Sequence, residues 1–409
     1  MRWIYTIGIY LYSFVIALVS LFNEKAGLLR KGRRQSWRWL KENSRDSGVV
    51  WIHCASLGEF EQGRPLIEHI KEQHPEKKIL LTFYSPSGYE IRKNYELADQ
   101  VLYLPADTPR NARRFVEMIN PDVAIFVKYE FWPHFFSALK KSQVPLYSVS
   151  AIFRKNQLFF KWYGTWFSKN LRGVTKFYVQ DQTSGQLLES LGFKNYVVVG
   201  DTRFDRVKEI VNKAVNVPVA KEFSESASFV LVAGSTWPPD EDILIRYINQ
   251  APADVKMIMA PHEVHEPHIQ QMESRLDVPS FRYSQADRVD LSLYRVMIVD
   301  TIGLLSAIYR YGHMAYIGGG FGKGIHNTLE AATYRIPVIF GPRYQKFKEA
   351  CDLIEVGGGF SVGSFDDCYN LIEEFRKNTD TLKIAGNNAG SYVDSMCGAT
   401  STIIKEIFP

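Results

Sequence analysis

Two glutamates each follow a strand-like run. Glu59 comes after "VVWIHC" in "VVWIHCASLGEFEQGRP", and Glu130 after "AIFV" in "VKYEFWPHF". Both runs read as buried strands, and Pro65, Leu66, Ile67 and Ile70 read as the apolar face of a helix behind the first. Both carboxylates are therefore expected in loops that leave strands, where open α/β sheets bind their ligands. A base that deprotonates a sugar hydroxyl is a carboxylate placed against that hydroxyl. Glu59, in a flexible small-residue loop, suits that role, while Glu130, close to Trp132 and Pro133, suits ordering its loop. The alternative is a pair of plain surface glutamates, because most loop carboxylates are solvated.

A second group of residues could hold an anion. "HMAYIGGGFGKGIHNTLEAATYRIPVIFGP" reads strand, glycine-rich loop, helix, strand, with Gly318, Gly319, Gly320, Gly322 and Gly324 allowing close backbone approach. The following helix is expected to start near His326 and Asn327, so that its N–H groups face the loop and favour a phosphate. Glu330, one turn further on, could accept hydrogen bonds from a ribose diol. The spacing is not GxGxxG and lies far from the first strand, which disfavours a dinucleotide; glycines serving a tight turn alone remain open. In "LVAGSTWPPDED", Ser235 and Thr236 follow a strand and precede a Pro238 helix, so their hydroxyls either cap that helix or hold phosphate oxygens without a metal. His262, His265 and His268 in "APHEVHEPH" match neither HExxH nor a zinc-finger spacing, and Pro267 interrupts any helical face. No metal is expected there, and His262, right after a strand, is better placed as a ligand contact.

These loops need elements to hold them. From Val49 onward apolar strands alternate with amphipathic helices, with strand-like segments at Lys78–Phe83, Val101–Leu104, Val123–Val127, Pro145–Ser150 and Phe177–Gln180. A second series holds Phe229–Ala233, Lys256–Ala260, Val296–Val299, His313–Ile317 and Pro337–Phe340. The turn signal "VVVGDTRFDRV" closes the first series, and 208–227 reads as a polar linker. The expected architecture is α/β, with two Rossmann-like doubly wound domains facing a cleft in the GT-B manner, at 46–207 and 228–409. A terminal helix near Thr400 to Ile407 could pack on either domain.

With 409 residues, 46% hydrophobic and 23% charged, the chain has the composition of an ordinary globular protein of roughly two domains, and large-scale disorder is excluded. Its four cysteines show no CxxC and form no disulfide scaffold, which suits a reducing compartment. Trp3 to Phe22 is about twenty residues without a charge, enough helix to cross roughly 30 Å of hydrocarbon. A membrane anchor is expected over 1–45, since the run is too long and its basic flank too poor for a cleaved signal; a buried or interfacial helix is the alternative. Between Glu24 and Arg45 stand eight basic residues against two acidic ones, enough to account for the net charge of +5. Beside an apolar segment, such a cluster suits anionic headgroups better than nucleic acid, and no nucleic-acid partner is expected.

The motifs "CASLGEF", "TFYSPSGYE", "KYEFWP", "VVVGDTRFD", "AGSTWPPDE", "DTIGLL", "YIGGGF" and "GIHNTLEAA" occur in the order found in the Kdo transferases of lipid A biosynthesis. The chain resembles that family along nearly its whole length. The resemblance implies a GT-B, inverting, metal- and cofactor-independent enzyme on the cytoplasmic face of the inner membrane. It would move 3-deoxy-D-manno-octulosonic acid (Kdo) from CMP-Kdo to a lipid A precursor, lipid IVA. By the same resemblance 46–207 is the acceptor domain and 228–409 the donor domain. Glu59 resembles the family's catalytic base and Glu130 the glutamate of its E-x-W-P element, while Ser235, Thr236, Asn327 and Glu330 resemble residues around the CMP moiety. The chain departs from the family at "APHEVHE", where an arginine-rich "RHPER" is frequent, and at Thr328, where proline is. Arg203 or Lys323 could supply the missing positive charge. The rivals are another membrane-associated GT-B enzyme using a UDP-sugar, and a sugar-nucleotide-binding protein without catalysis.

Overall fold

Strand runs that are apolar on both faces belong to parallel sheets covered on both sides by helices. The computed structural model of the chain describes residues 1–43, 48–213 and 216–409, and it forms two such sheets. The first contains β1 (Val49–Cys54), β2 (Lys78–Phe83), β3 (Gln100–Tyr103), β4 (Val123–Val127), β5 (Leu146–Ala151), β6 (Lys176–Val179) and β7 (Tyr196–Val198). The second contains β8 (Phe229–Thr236), β9 (Val255–Pro261), β10 (Ser280–Arg282), β11 (Val296–Ile298), β12 (Met314–Ile317), β13 (Val338–Phe340) and β14 (Gly359–Ser361). The strand orders are β3-β2-β1-β4-β5-β6-β7 and β10-β11-β9-β8-β12-β13-β14, with parallel pairing throughout. Each sheet is doubly wound, and its direction of winding reverses once, between β1 and β4 and between β8 and β12. Outside the carboxyl ends of those strand pairs is where this topology binds ligands.

The chain divides into two units, Met1–Arg206 with Cys397–Pro409, and Val207–Met396. The stretch expected as a linker carries helix instead, over Thr202–Asn212 and Pro218–Glu225, with residues 214 and 215 outside the described ones. Helix Ala399–Ile407 belongs to the first unit. Its Ile403 and Ile404 are buried with Phe60, Ile67 and Ile70, and Asp205 accepts the Gly398 and Thr400 amides at 2.6 and 2.7 Å. Three strands went unread in the sequence: β7, β10 and β14. Each has three residues at a sheet edge, too few for a period to show.

Helix Arg2–Val19 is long and apolar enough to cross a membrane by length and composition. The next helix, Glu24–Glu42, begins where the Asn23 side chain accepts the Ala26 amide. The basic juxtamembrane segment is an amphipathic helix packed on edge strand β3. Ala26, Leu29, Gly32, Ser36 and Leu40 form its buried stripe, and the Ser36 hydroxyl accepts the Tyr103 amide at 2.9 Å. Only glycine fits at 32, since a Cβ there would stand 2.1 Å from the Tyr103 ring. Lys25, Lys31, Arg34, Arg38 and Lys41 are exposed on the other side. Arg45, and with it the expected boundary between 45 and 46, lies outside the described residues.

Candidate functional site

In the first unit the switch point lies between β1 and β4, and the two glutamates follow these two strands. Glu59 is not in a loop, as the sequence suggested, but in the first turn of helix Leu57–Gln73. Only Ala55 and Ser56 separate that helix from β1, and the pattern Ser56-Leu57-Gly58-Glu59 is an S-x-x-E helix start that could have been read from the sequence. The Ser56 hydroxyl donates to the Glu59 carboxylate, which stands at the positive end of the helix, where negative charge is favoured. Glu59 is half-buried, so a carboxylate held by one hydroxyl keeps an open side.

Glu130 stands between β4 and helix Pro133–Lys141, where the Trp132 indole N–H donates to its Oε2 at 2.9 Å. The same N–H lies 3.3 Å from Nε2 of His53, a β1 residue with no exposed surface. His53 was missed in the sequence because it sits inside an apolar run, and its only signal is that a polar ring there needs partners. They are found: Nδ1 is 2.9 Å from the Thr82 hydroxyl and 3.2 Å from the Thr82 carbonyl. A carbonyl only accepts, so the network assigns the proton to Nδ1 and leaves Nε2 as an acceptor. Nε2 and Glu130 Oε2, 3.5 Å apart, then straddle the single Trp132 donor. Trp132 also stacks on Tyr84 at 4.9 Å. Burial pushes the Cys54 thiol well up, and Glu59 and Glu130 both add to that shift, so the two carboxylates share one neighbourhood. Lys128, directly after β4, has φ 68°, and Ser150 in β5 has φ 48°. Strain of this kind, on the order of 1–3 kcal/mol per residue, gathers at functional sites.

The amino-terminal helix abuts this region. Tyr5 donates to Asp107 Oδ2 at 2.8 Å, and Asp107 also accepts the His134 and Phe135 amides that open helix Pro133–Lys141. The Thr6 hydroxyl is 2.9 Å from His134 Nε2. Arg30 donates to Ala17 O and to Ser20 Oγ at 3.2 and 3.0 Å. Arg203 also lies in this unit, on helix Thr202–Asn212, with its guanidinium 2.9 Å from Asp201 Oδ2.

In the second unit the switch point lies between β8 and β12. Ser235 and Thr236 end β8, and the glycine loop follows β12. Ser235 has φ 52°. Neither residue caps the next helix; the cap is Trp237, whose amide donates to Asp240 at 3.0 Å. Thr236 donates to the buried Glu241, which His268 also meets at 3.1 Å. Burial holds the Asp240 and Glu241 carboxyls above the usual carboxylate range.

The glycines have packing reasons of their own. A Cβ at Gly318 would come 2.2 Å from Ser235 O, and one at Gly320 would come 2.5 Å from the Gly341 amide nitrogen. The Gly319 amide, at φ 94°, donates to Asp240 at 2.8 Å. The helix expected to start near His326 and Asn327 starts at Leu329 and is a single turn, Leu329–Ala332; before it the Asn327 side chain takes the Leu329 amide and the His326 amide donates to Gly318 O. The dipole argument from that helix therefore weakens. Asn327, exposed, also donates to Glu330 at 3.0 Å. His262 is exposed and stacked between Trp237 at 4.5 Å and His326 at 4.6 Å. The Trp237 indole donates to His326 Nε2 at 3.1 Å, and burial, then His262, push His326 below the ordinary imidazole range. The motif residues of the second unit thus converge on one loop cluster, with an exposed imidazole held edge-out by two rings; Lys323, in the glycine loop, is exposed. Trp237 was the unread member. His265 caps helix Glu266–Ser274 through its own ring, which separates its task from that of His262.

Residues 22–206 match the family model described as 3-deoxy-D-manno-octulosonic-acid transferase (kdotransferase). The 3-deoxy-D-manno-octulosonic acid transferase of Aquifex aeolicus (strain VF5) is 27% identical over 345 residues, covering 82% of this chain and 88% of the relative. That of Rickettsia bellii (strain RML369-C) is 26% identical over 417 residues, covering 97% and 96%. Among solved structures, the UDP-GlcNAc 2-epimerase of Neisseria meningitidis bound to UDP-GlcNAc is similar with a TM-score of 0.61 at 14% identity, over 88% of this chain and 99% of that one. MurG of Acinetobacter baumannii is similar with a TM-score of 0.55 at 11% identity, over 88% and 98%. At such identities these structures speak for the fold alone.

Proposed function

From this chain's likeness to the Kdo transferases, we propose that it is an inverting glycosyltransferase that moves Kdo from CMP-Kdo to a lipid A precursor such as lipid IVA at the cytoplasmic face of a membrane. The observation that carries this reading is the placing of the motif loops. "SLGEF" and "KYEFWP" follow the two strands at the switch point of the first sheet, while at that of the second "GST" ends β8 and "GGGFGKGIHNTLE" follows β12.

In the reaction, Glu59 takes the proton of an acceptor hydroxyl, whose oxygen bonds to the anomeric carbon of Kdo as the bond from that carbon to the phosphate oxygen breaks. CMP departs with the electron pair and the phosphate. Ser235, Thr236, His262 and Lys323, with the backbone at Gly319 and Gly320, are the groups for that phosphate, and Asn327 and Glu330 those for the nucleoside. Glu130, fixed by Trp132 and His53, orders the acceptor side. No step needs a metal or cofactor. Arg203 pairs with Asp201.

Helix Arg2–Val19 anchors the chain in this reading by lying in the plane of the membrane. Support comes from its bonds to the first unit at Tyr5 and Thr6, with Ala17 and Ser20 held by Arg30; a helix held near both ends by a folded unit is not free to cross the bilayer.

The test is to incubate the purified chain with CMP-Kdo and lipid IVA and to weigh the lipid product. Kdo addition is expected, inhibited by CMP and not by UDP. The Glu59→Gln variant should bind CMP-Kdo as before and lose roughly 100- to 10,000-fold in turnover, the usual worth of a general base. An unmodified lipid, or a variant as fast as the parent, contradicts the reading.

A further inference from the structure

We propose that residues 154–169 form a second lipid-contact element, an aromatic knuckle beside the amino-terminal helix that inserts into the headgroup region of an anionic membrane. This rests on the membrane-associated reading above. The stretch "RKNQLFFKWYGTWFSK" belongs to none of the motifs used so far. It leaves β5 and folds into short 3-10 turns at Leu158–Phe160 and Trp162–Gly164, then helix Thr165–Asn170. Phe159 and Phe160 turn inward, with Phe159 5.1 Å from Phe131 and Phe160 6.2 Å from Phe153. Leu158, Trp162 and Tyr163 turn outward, and Trp162 is 90% exposed.

That exposure is built into the fold. Gly164 packs so tightly under the turn that a Cβ would stand 1.6 Å from Leu158 O, and its amide donates to Lys161 O at 2.8 Å. The tip is thus fixed with its large apolar rings in solvent, which a soluble protein avoids without a partner for them. Two observations name the partner. Arg154, Lys155, Lys161 and Lys169 are exposed around the rings, and aromatic rings among lysines and arginines suit the boundary between acyl chains and anionic headgroups. The knuckle also continues into the amino-terminal helix: Trp166 and Phe167 lie 5.6 and 6.0 Å from Tyr5, and Trp3, Ile4 and Ile7 of that helix are exposed.

The experiment uses the full chain with vesicles of phosphatidylcholine and phosphatidylglycerol whose acyl chains carry bromine, which quenches indole fluorescence on contact. Quenching of the parent should exceed that of Trp162→Phe, and the Trp162→Ala/Tyr163→Ala variant should bind plain vesicles about tenfold more weakly. Equal quenching in parent and Trp162→Phe, or equal vesicle binding, overturns the proposal and leaves the rings to a protein partner. Kdo transfer to detergent-dispersed acceptor should be unchanged in both variants. Quenching is read without turnover, so a chain that fails to transfer Kdo can still pass this test, and an active chain can still fail it.

Discussion

His53 has the least obvious task in the first unit, because it looks like packing in the sequence and behaves as a fixture in the structure. Its Nε2 meets the same indole N–H that holds Glu130, so the orientation of that carboxylate depends on a buried side chain. In His53→Phe the ring volume and the contact with Phe126 at 5.0 Å remain, while both nitrogens are gone. The Trp132 indole then loses its bond to the β1 side chain, so the indole and the Glu130 it holds can shift together. Under the proposed function, turnover is expected to fall roughly 10- to 100-fold, as misplaced positioning groups commonly cost, with KM for CMP-Kdo unchanged because the loops proposed for the donor belong to the other unit. Steady-state kinetics read the split; a rise in KM alone would make His53 a packing residue. Glu59 and Glu130 were legible as carboxylates after strands. That Glu59 begins a helix was legible too, in the serine three residues before it, but a run of small residues looks like a loop until the next strand fixes its length.

Between elements, the buried carboxyl of Asp107 joins three: the amino-terminal helix through Tyr5, helix Pro133–Lys141 through two amides, and the segment after β3 that carries it. Burial raises its pKa from 3.8 to about 6, although all three donors pull the other way. The folded chain therefore holds a proton that the unfolded chain has lost between those two values. Stability from this group is full below pH 4 and lost as pH rises toward 6, by about 3 kcal/mol in all. Asp107→Asn removes the titration, so its melting temperature relative to the parent should climb from pH 4 to pH 7. Parallel curves would mean that Asp107 is not the titrating group. None of this could be read from "LPADTPRN", since burial at 107 comes from a helix more than a hundred residues earlier. The long strands were legible because parallel strands are apolar on both faces. The later start of the helix at Leu329 was not legible because Thr328 and Asn327 look like an ordinary helix start, and the turn of the His326 amide onto Gly318 O is a contact between residues eight apart.

For the molecule as a whole, the charge is lopsided: eight basic residues against two acidic ones between Glu24 and Arg45 exceed the net +5 by one, so the rest of the chain is near neutral. The amphipathic helix Glu24–Glu42 sorts these charges. Arg30 and Arg33 bond to the chain itself, while Lys31, Arg34 and Arg38 face solvent. A basic face beside an exposed apolar helix binds anionic bilayers through two additive terms, one apolar and one electrostatic. Each lysine or arginine near such a surface contributes about 1 kcal/mol, so Lys31→Gln/Arg34→Gln/Arg38→Gln should weaken binding to phosphatidylglycerol-rich vesicles by up to roughly 100-fold. On pure phosphatidylcholine the parent and the triple variant should bind alike, because only the apolar term acts there. Raising salt from 0.1 to 1 M shortens the screening length from about 10 to about 3 Å, which should bring the parent down to the variant on anionic vesicles. Co-sedimentation at the two salt concentrations measures this, and a parent whose anionic-vesicle binding ignores salt would place the whole attraction in the apolar helix and the aromatic knuckle.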